Sequence, residues 1–154
     1  MKLKTFIAML AFSSGALCAQ TVEIKDAWAR ATVPGQKASG AFMKITAKED
    51  AQLVGLSSPV AGVVELHEMK MEADVMRMRA VAGGLSLPAG KTLELKPGGY
   101  HVMLMDLKVT LTTDGTVPLT LVFRNAKGEQ TRQDIKLPVS RAAPAASGHG
   151  RAMH

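Results

Sequence analysis

Nine short runs of β-type residues, separated by turn residues, constrain the fold more than any other feature of this sequence. Each run ends at Gly, Pro, Asn, Asp or charged residues, as at Pro97-Gly98-Gly99. Strands at a spacing of about 8–12 residues are typical of a β-sandwich or barrel. No segment keeps a long helical periodicity, so the sequence predicts an all-β domain. The predicted strands are residues 21–30, 41–47, 52–57, 63–71, 75–81, 92–95, 100–107, 117–124 and 129–139.

The first 19 residues have the composition of a secretory signal peptide. A basic start with Lys2 and Lys4 leads into a short apolar run, and small residues follow up to Ala19. We expect cleavage after Ala19 and a periplasmic mature protein without stable membrane insertion. Loss of the two lysines leaves 17 basic residues against 13 acidic ones, a net charge of about +4. The basic residues are scattered, so the sequence indicates no nucleic-acid surface.

The only cysteine, Cys18, lies within the predicted signal peptide. A lipoprotein anchor at Cys18 is the alternative, but it requires a small residue before the cysteine, and Leu17 is bulky. A mature domain without cysteine folds on packing alone, with no disulfide. The same absence excludes thiol catalysis and a blue-copper centre, which requires a cysteine thiolate.

Residues 20–139 form the predicted domain, and residues 140–154 read as a flexible tail rich in Ala, Pro, Gly and Ser. The end of this tail contains His149, Met153 and His154. Short His-containing tracts often bind metal, so the tail is either a mobile second metal-binding arm or a disordered end with incidental residues.

Two histidines and six methionines lie within residues 63–108. Side chains two apart on a strand point to the same face. Each of three predicted strands therefore presents a His/Met or Met face, opposite apolar residues that suit a core. These faces consist of His67, Met69 and Met71 on one strand, Met76 and Met78 on the next, and His101, Met103 and Met105 on a later one.

Imidazole and thioether form a soft ligand set, and methionine selects Cu(I) over harder ions. Zinc is disfavoured, because thioether is a poor zinc ligand and no thiolate is present. A single methionine on a strand is usually a core filler, since its flexible side chain fits irregular gaps. We therefore expect some of the remaining methionines to be buried packing residues, among Met43, Met69, Met71, Met76 and Met105.

The spacing of these residues resembles the periplasmic copper chaperones of the PCuAC family. His67 is followed after ten residues by Met78, and after twenty-two more by His101-Val102-Met103. The flanking Val-Glu-Leu-His-Glu-Met and Leu-Lys-Pro-Gly-Gly-Tyr-His-Val-Met-Leu-Met are also similar, and the likeness spans residues 22–137.

The resemblance implies a cupredoxin-like Greek-key β-sandwich that carries Cu(I) and is not an enzyme. Its implied ligands are His67, Met78, His101 and Met103, with Met76 a rival for Met78 because the family spacing varies by one residue. Copper would pass to the dinuclear copper centre of a haem–copper cytochrome c oxidase or to another periplasmic copper carrier. The tail resembles arms associated with Cu(II) in some members.

Three other functions remain to be weighed. A His-brace oxygenase requires histidine as the mature first residue, and Gln20 does not fit. A copper buffer for resistance would bind the same ion without a dedicated recipient. A structural sandwich would use every methionine for packing. We expect a monomeric copper carrier.

Overall fold

The computed structural model describes residues 21–144, and this part of the chain contains ten β-strands. The prediction of an all-β fold is confirmed, and each of the nine predicted runs corresponds to a strand. The additional strand is β6, and β10 extends to Ser140, one residue beyond the predicted domain. The strands are β1 (Val22–Arg30), β2 (Ala38–Ala47), β3 (Ala51–Ser57), β4 (Ala61–Glu72), β5 (Val75–Ala80), β6 (Leu85–Leu87), β7 (Thr92–Leu95), β8 (His101–Leu107), β9 (Thr116–Asn125) and β10 (Gln130–Ser140).

The predicted signal peptide, Gln20 and most of the predicted tail lie outside the described residues. No helix long and apolar enough to cross a membrane occurs between residues 21 and 144.

The strands form two sheets that share one core. One sheet has the order β5-β4-β8-β2-β1, with β7 also paired to β2, and the other has the order β10-β9-β3-β6. A short parallel pairing of β1 with β10 joins them, while the other pairings are antiparallel. The mixed sheet therefore closes into a sandwich around a single apolar cluster.

Alternation along the strands builds that core. In β9, Leu119, Leu121 and Phe123 are buried at every second position. In β8, Val102 and Leu104 are fully buried and belong to the same cluster. Burial of each large apolar side chain stabilises the fold by about 1.5–3 kcal/mol. Met103, which lies between Val102 and Leu104, is consequently directed to the opposite face of the first sheet.

The β4–β5 hairpin extends past the end of β8. Strand β4 pairs with β8 from Ala61 to His67, and its remaining residues have only β5 as a paired neighbour. Ala73 and Asp74 connect the two strands with φ angles of 47° and 63°, which is the backbone of a type I′ turn. Strand β5 is exposed along its whole length at the edge of the sheet.

Candidate metal site

The strand register brings the predicted metal ligands to one face of the first sheet. His67 in β4 is paired directly with His101 in β8, and Met69 in β4 with Met78 in β5. Met103 follows His101 by two residues on the same strand. Because directly paired residues of antiparallel strands share a face, the four predicted ligands lie together on the outer face.

His101 is the first residue of β8 and is held in one orientation. The residue is only 7% exposed. The Nδ1 atom lies 3.0 Å from the carbonyl oxygen of Gly99. A carbonyl can only accept, so Nδ1 carries the proton and Nε2 of the neutral ring has a free lone pair. That Nε2 atom lies 3.2 Å from the sulfur of Met78.

The contact between His101 and Met78 therefore joins two electron-pair donors. A neutral imidazole nitrogen and a thioether sulfur have no proton to share once Nδ1 is the protonated atom. A hydrogen bond from the opposite ring nitrogen to a backbone carbonyl is the usual way in which proteins orient a metal-binding histidine. This arrangement suits a soft cation bound between the nitrogen and the sulfur.

His67 presents a complementary arrangement beside His101. Its Nε2 atom lies 2.9 Å from a carboxylate oxygen of Glu65, which can only accept a hydrogen bond. Its Nδ1 atom is buried and is the only such side-chain nitrogen or oxygen without a partner within residues 21–144. The ring centroids of His67 and His101 are 6.0 Å apart at an interplanar angle of 62°. The unpaired Nδ1 atom is thus the available donor of His67.

Met43, Met103 and Met78 differ in how far they are buried. Met43 is buried in the core, opposite Leu95, and confirms the expectation that one of these residues serves packing. Met103 is half-buried on the site face, paired with residues of β2 and β4. Met78 is 50% exposed and contacts His101.

The sequence left Met76 as a rival for Met78. Met76 is paired with Met71, two residues further toward the hairpin turn along each strand than the Met69–Met78 pair. The contact with His101 consequently favours Met78 as the ligand. His149, Met153 and His154, the candidates in the tail, lie outside the described residues.

An aromatic wall borders the site on the side of β2. The Phe42 and His101 ring centroids are 6.4 Å apart, and Trp28 packs on Phe42 at 4.7 Å. The Arg30 guanidinium lies 5.5 Å from the centre of the Phe42 ring. A Cβ atom at Gly40 would lie 2.9 Å from the Phe42 ring, so glycine is needed there for close approach.

Sequence reasoning missed the residues that orient the two histidines. Glu65 was detectable, because it has the same strand parity as His67 and lies two residues before it. The role of the Gly99 carbonyl could not be detected, because it depends on the turn preceding β8. Phe42 lies within the predicted strand 41–47, but nothing in its neighbourhood indicates that β2 pairs with β8.

The four predicted ligands thus offer two imidazole nitrogens and two thioether sulfurs on one face of the sheet. No group of three His, Cys, Asp or Glu side chains is placed to hold a metal ion within residues 21–144. Two surface depressions are lined by other residues, including Asp50 and Asn125. On the His/Met face His101 is buried, whereas Met78 is 50% exposed and can be reached from solvent.

Comparison with known proteins places this chain in a family. Residues 22–139 match the LpqE-like lipoprotein family. The chain belongs to that family. A relative from Leifsonia xyli subsp. xyli, Lxx21020, is named as a lipoprotein; it is 33% identical over 118 residues, which are 77% of this chain and 71% of the relative. The uncharacterized protein RP573 of Rickettsia prowazekii is 28% identical over 128 residues, covering 80% of this LpqE-like chain and 68% of RP573.

Solved PCuAC domains share the fold of this LpqE-like protein. The apo PCuAC domain from PmoF1 has a TM-score of 0.58 at 22% identity, covering 78% of this chain and 95% of that domain. The Cu(I) form of DR1885 from Deinococcus radiodurans has a TM-score of 0.57 at 29% identity, covering 85% of each chain. The PCuAC-like fold is thus confirmed.

Proposed function

We propose that this protein binds Cu(I) through His67, Met78, His101 and Met103 and carries it to a copper-accepting protein. The observation that carries the proposal is the 3.2 Å contact between the free Nε2 of His101 and the sulfur of Met78. The proposal is also supported by DR1885, a structural neighbour that binds Cu(I). The donor chemistry agrees with both, because thioethers select Cu(I) over hard divalent ions.

The ligand set suits a carrier better than an enzyme. Four neutral donors leave a bound Cu(I) ion with its single positive charge. Met78 is half-exposed at the edge of the face, so an incoming ligand can reach the ion from that side. An acceptor that offers anionic thiolates is a softer site, and transfer to it is downhill. We therefore infer a transport role without catalysis.

The proposed recipient is the dinuclear copper centre of a cytochrome c oxidase subunit, as the resemblance to PCuAC chaperones implies. A copper buffer that protects the periplasm is the alternative, and it binds the same ion through the same residues. Transfer separates the two functions: a chaperone loads the apo copper domain of the oxidase faster than free Cu(I) chelates do, whereas a buffer withholds copper.

We place the protein in the periplasm, with its signal peptide removed after Ala19. The lipoprotein names of the family and of Lxx21020 agree with export, and they keep an anchor at Cys18 as the alternative. The mass of the mature protein distinguishes these forms. Cleavage after Ala19 leaves an unmodified chain starting at Gln20, and an anchored form begins at a lipidated Cys18. Binding of Cu(II) by the tail residues His149, Met153 and His154 stays a prediction.

Competition with a chromophoric Cu(I) chelator tests the site. We expect the double variant His67→Ala/His101→Ala to lose affinity by more than about 100-fold, beyond the effect typical of outer-shell changes. Met105→Leu is the matched control, because Met105 lies on the same face of β8 as His101 and Met103 but is not one of the proposed ligands. Equal affinities of the wild type and the double variant would remove the proposed site.

A further inference from the structure

The outer part of the β4–β5 hairpin carries methionines that the proposed site does not use. Met71 is 60% exposed and Met76 is 45% exposed. They are paired with each other directly across the two strands, two residues outward from the Met69–Met78 pair. The four methionines thus form two cross-strand pairs on the site face of the hairpin, which we call rungs. The inner rung, Met69–Met78, contacts His101 through Met78, and the outer rung is Met71–Met76.

The type I′ turn sets the spacing within each rung. A two-residue turn is closed by a hydrogen-bonded pair, and pairs then alternate between hydrogen-bonded and non-hydrogen-bonded positions. Leu66 and Val81 lie six pairs from the closing pair Glu72–Val75, an even number, so the alternation predicts that they are hydrogen-bonded. The Val81 amide does donate to the Leu66 carbonyl, at 2.9 Å. Met71 and Met76 therefore occupy a non-hydrogen-bonded pair, where opposed Cα atoms are only about 4.5 Å apart and side chains are closest.

Packing does not account for Met71 and Met76. A methionine that fills a core is buried, as Met43 is. Apolar side chains that stay exposed together usually mark an interaction site. Arg77 and Arg79 lie on the opposite face of β5, and both form ion pairs with Glu72. The rung formed by Met71 and Met76 is accordingly left with two soft, uncharged donors that face solvent.

We propose that Met71 and Met76 form a loading site that captures Cu(I) and passes it inward to the His101–Met78 site. This proposal rests on the proposed function. The outer and inner rungs are two residues apart along each strand, which corresponds to about 6.6–6.8 Å. Exchange of the ion from the outer methionines to those of the inner rung covers this distance. Each exchange breaks one Cu–S bond to an outward methionine and forms a Cu–S bond to an inner methionine or a Cu–N bond to a histidine, while copper stays Cu(I). No proton or electron moves, because thioethers and the Nε2 lone pair are neutral donors.

Silver(I) tests the loading site by NMR, because it is a soft monovalent ion that does not change oxidation state. The full mature chain with ¹³C-labelled methionine methyl groups is titrated with silver nitrate. We expect the first equivalent to shift Met78 and Met103, together with the ring signals of His101. The second equivalent should then shift Met71 and Met76. The Met153 methyl group reports separately on the tail.

Each outcome decides one of the two proposals. Shifts at His101 and Met78 without any at Met71 and Met76, up to several equivalents, overturn the loading site and leave the proposed function intact. Early shifts at Met71 and Met76 with none at His101 overturn the proposed four-ligand site and the inward transfer with it.

Kinetics supply the second test. In Met71→Leu/Met76→Leu the apolar volume is kept and both sulfurs are removed. We expect Cu(I) transfer from a chelate to slow about tenfold, within the range that on-rates span among variants of one interface. The equilibrium affinity should stay within about twofold of the wild type, which is below 1 kcal/mol. Unchanged rates, or a loss of equilibrium affinity instead of rate, would overturn the loading role. Met105→Leu again serves as the control.

Discussion

The hydrogen bond between His67 and Glu65 predicts how much copper affinity depends on a residue that does not bind the metal. In Glu65→Ala the acceptor 2.9 Å from Nε2 is removed, so the ring can rotate and the proton can move to Nδ1. Nδ1 is the buried, unpaired atom that we propose as the copper ligand. Outer-shell partners typically contribute about 10–100-fold to metal affinity. The Glu65 side chain is 46% exposed, so water replaces it in part, and we expect a loss of about tenfold, or ~1.4 kcal/mol.

Two measurements check this expectation. Chelator competition gives the Cu(I) affinity, and long-range ¹⁵N–¹H correlation of the imidazoles gives the tautomer of His67 in the metal-free protein. Glu68→Ala is the control, because Glu68 is on the same strand but on the opposite face, paired with Arg79. If Glu65→Ala keeps both the wild-type affinity and the Nε2–H tautomer, the orienting role of Glu65 is wrong.

Three further predictions concern stability and pH. Gly40→Ala should lower the free energy of unfolding by about 1–3 kcal/mol, because the new methyl displaces the Phe42 ring; urea unfolding followed by Trp28 fluorescence measures this, and unchanged stability contradicts it. Copper affinity should fall between about pH 7 and pH 5, since a ligating imidazole must be deprotonated; a flat affinity profile excludes histidine ligation. Hydrogen bonding from Thr120, and then from Arg132, lowers the pKa of Asp134. This stabilisation is present above the unfolded-state pKa and is lost as the pH falls through the lower folded-state pKa, so Asp134→Asn should flatten the acid side of the stability profile below about pH 4.

Strand parity carried most of the sequence prediction. The rule that alternate residues share a face separated His101 and Met103 from Val102 and Leu104, and the structure buries the latter two in the core. Parity is local and needs only the strand itself, which explains its success. The three-residue strand β6 (Leu85–Leu87) was missed, because it is too short to show any alternation between Gly84 and Pro88.

Long-range register could not be read from the sequence. Met76 and Met78 have the same parity, so only the pairing of β4 with both β5 and β8 distinguishes them. That pairing brings Met78 into contact with His101. The residues that flank Met78 and His101 in the sequence do not predict this contact. The tautomers of His67 and His101 were equally out of reach, because they depend on a carboxylate and a carbonyl placed by the folded backbone.

X-ray absorption at the copper edge of the reduced, copper-loaded protein tests the central claim most directly. Four ligands from three strands predict a first shell of nitrogen and sulfur neighbours in equal number, and loss of one sulfur in Met78→Leu. Met76→Leu should leave the first shell unchanged. A shell of nitrogen and oxygen alone, or one that is the same in Met78→Leu as in the wild type, would contradict the assignment of this face as the copper site.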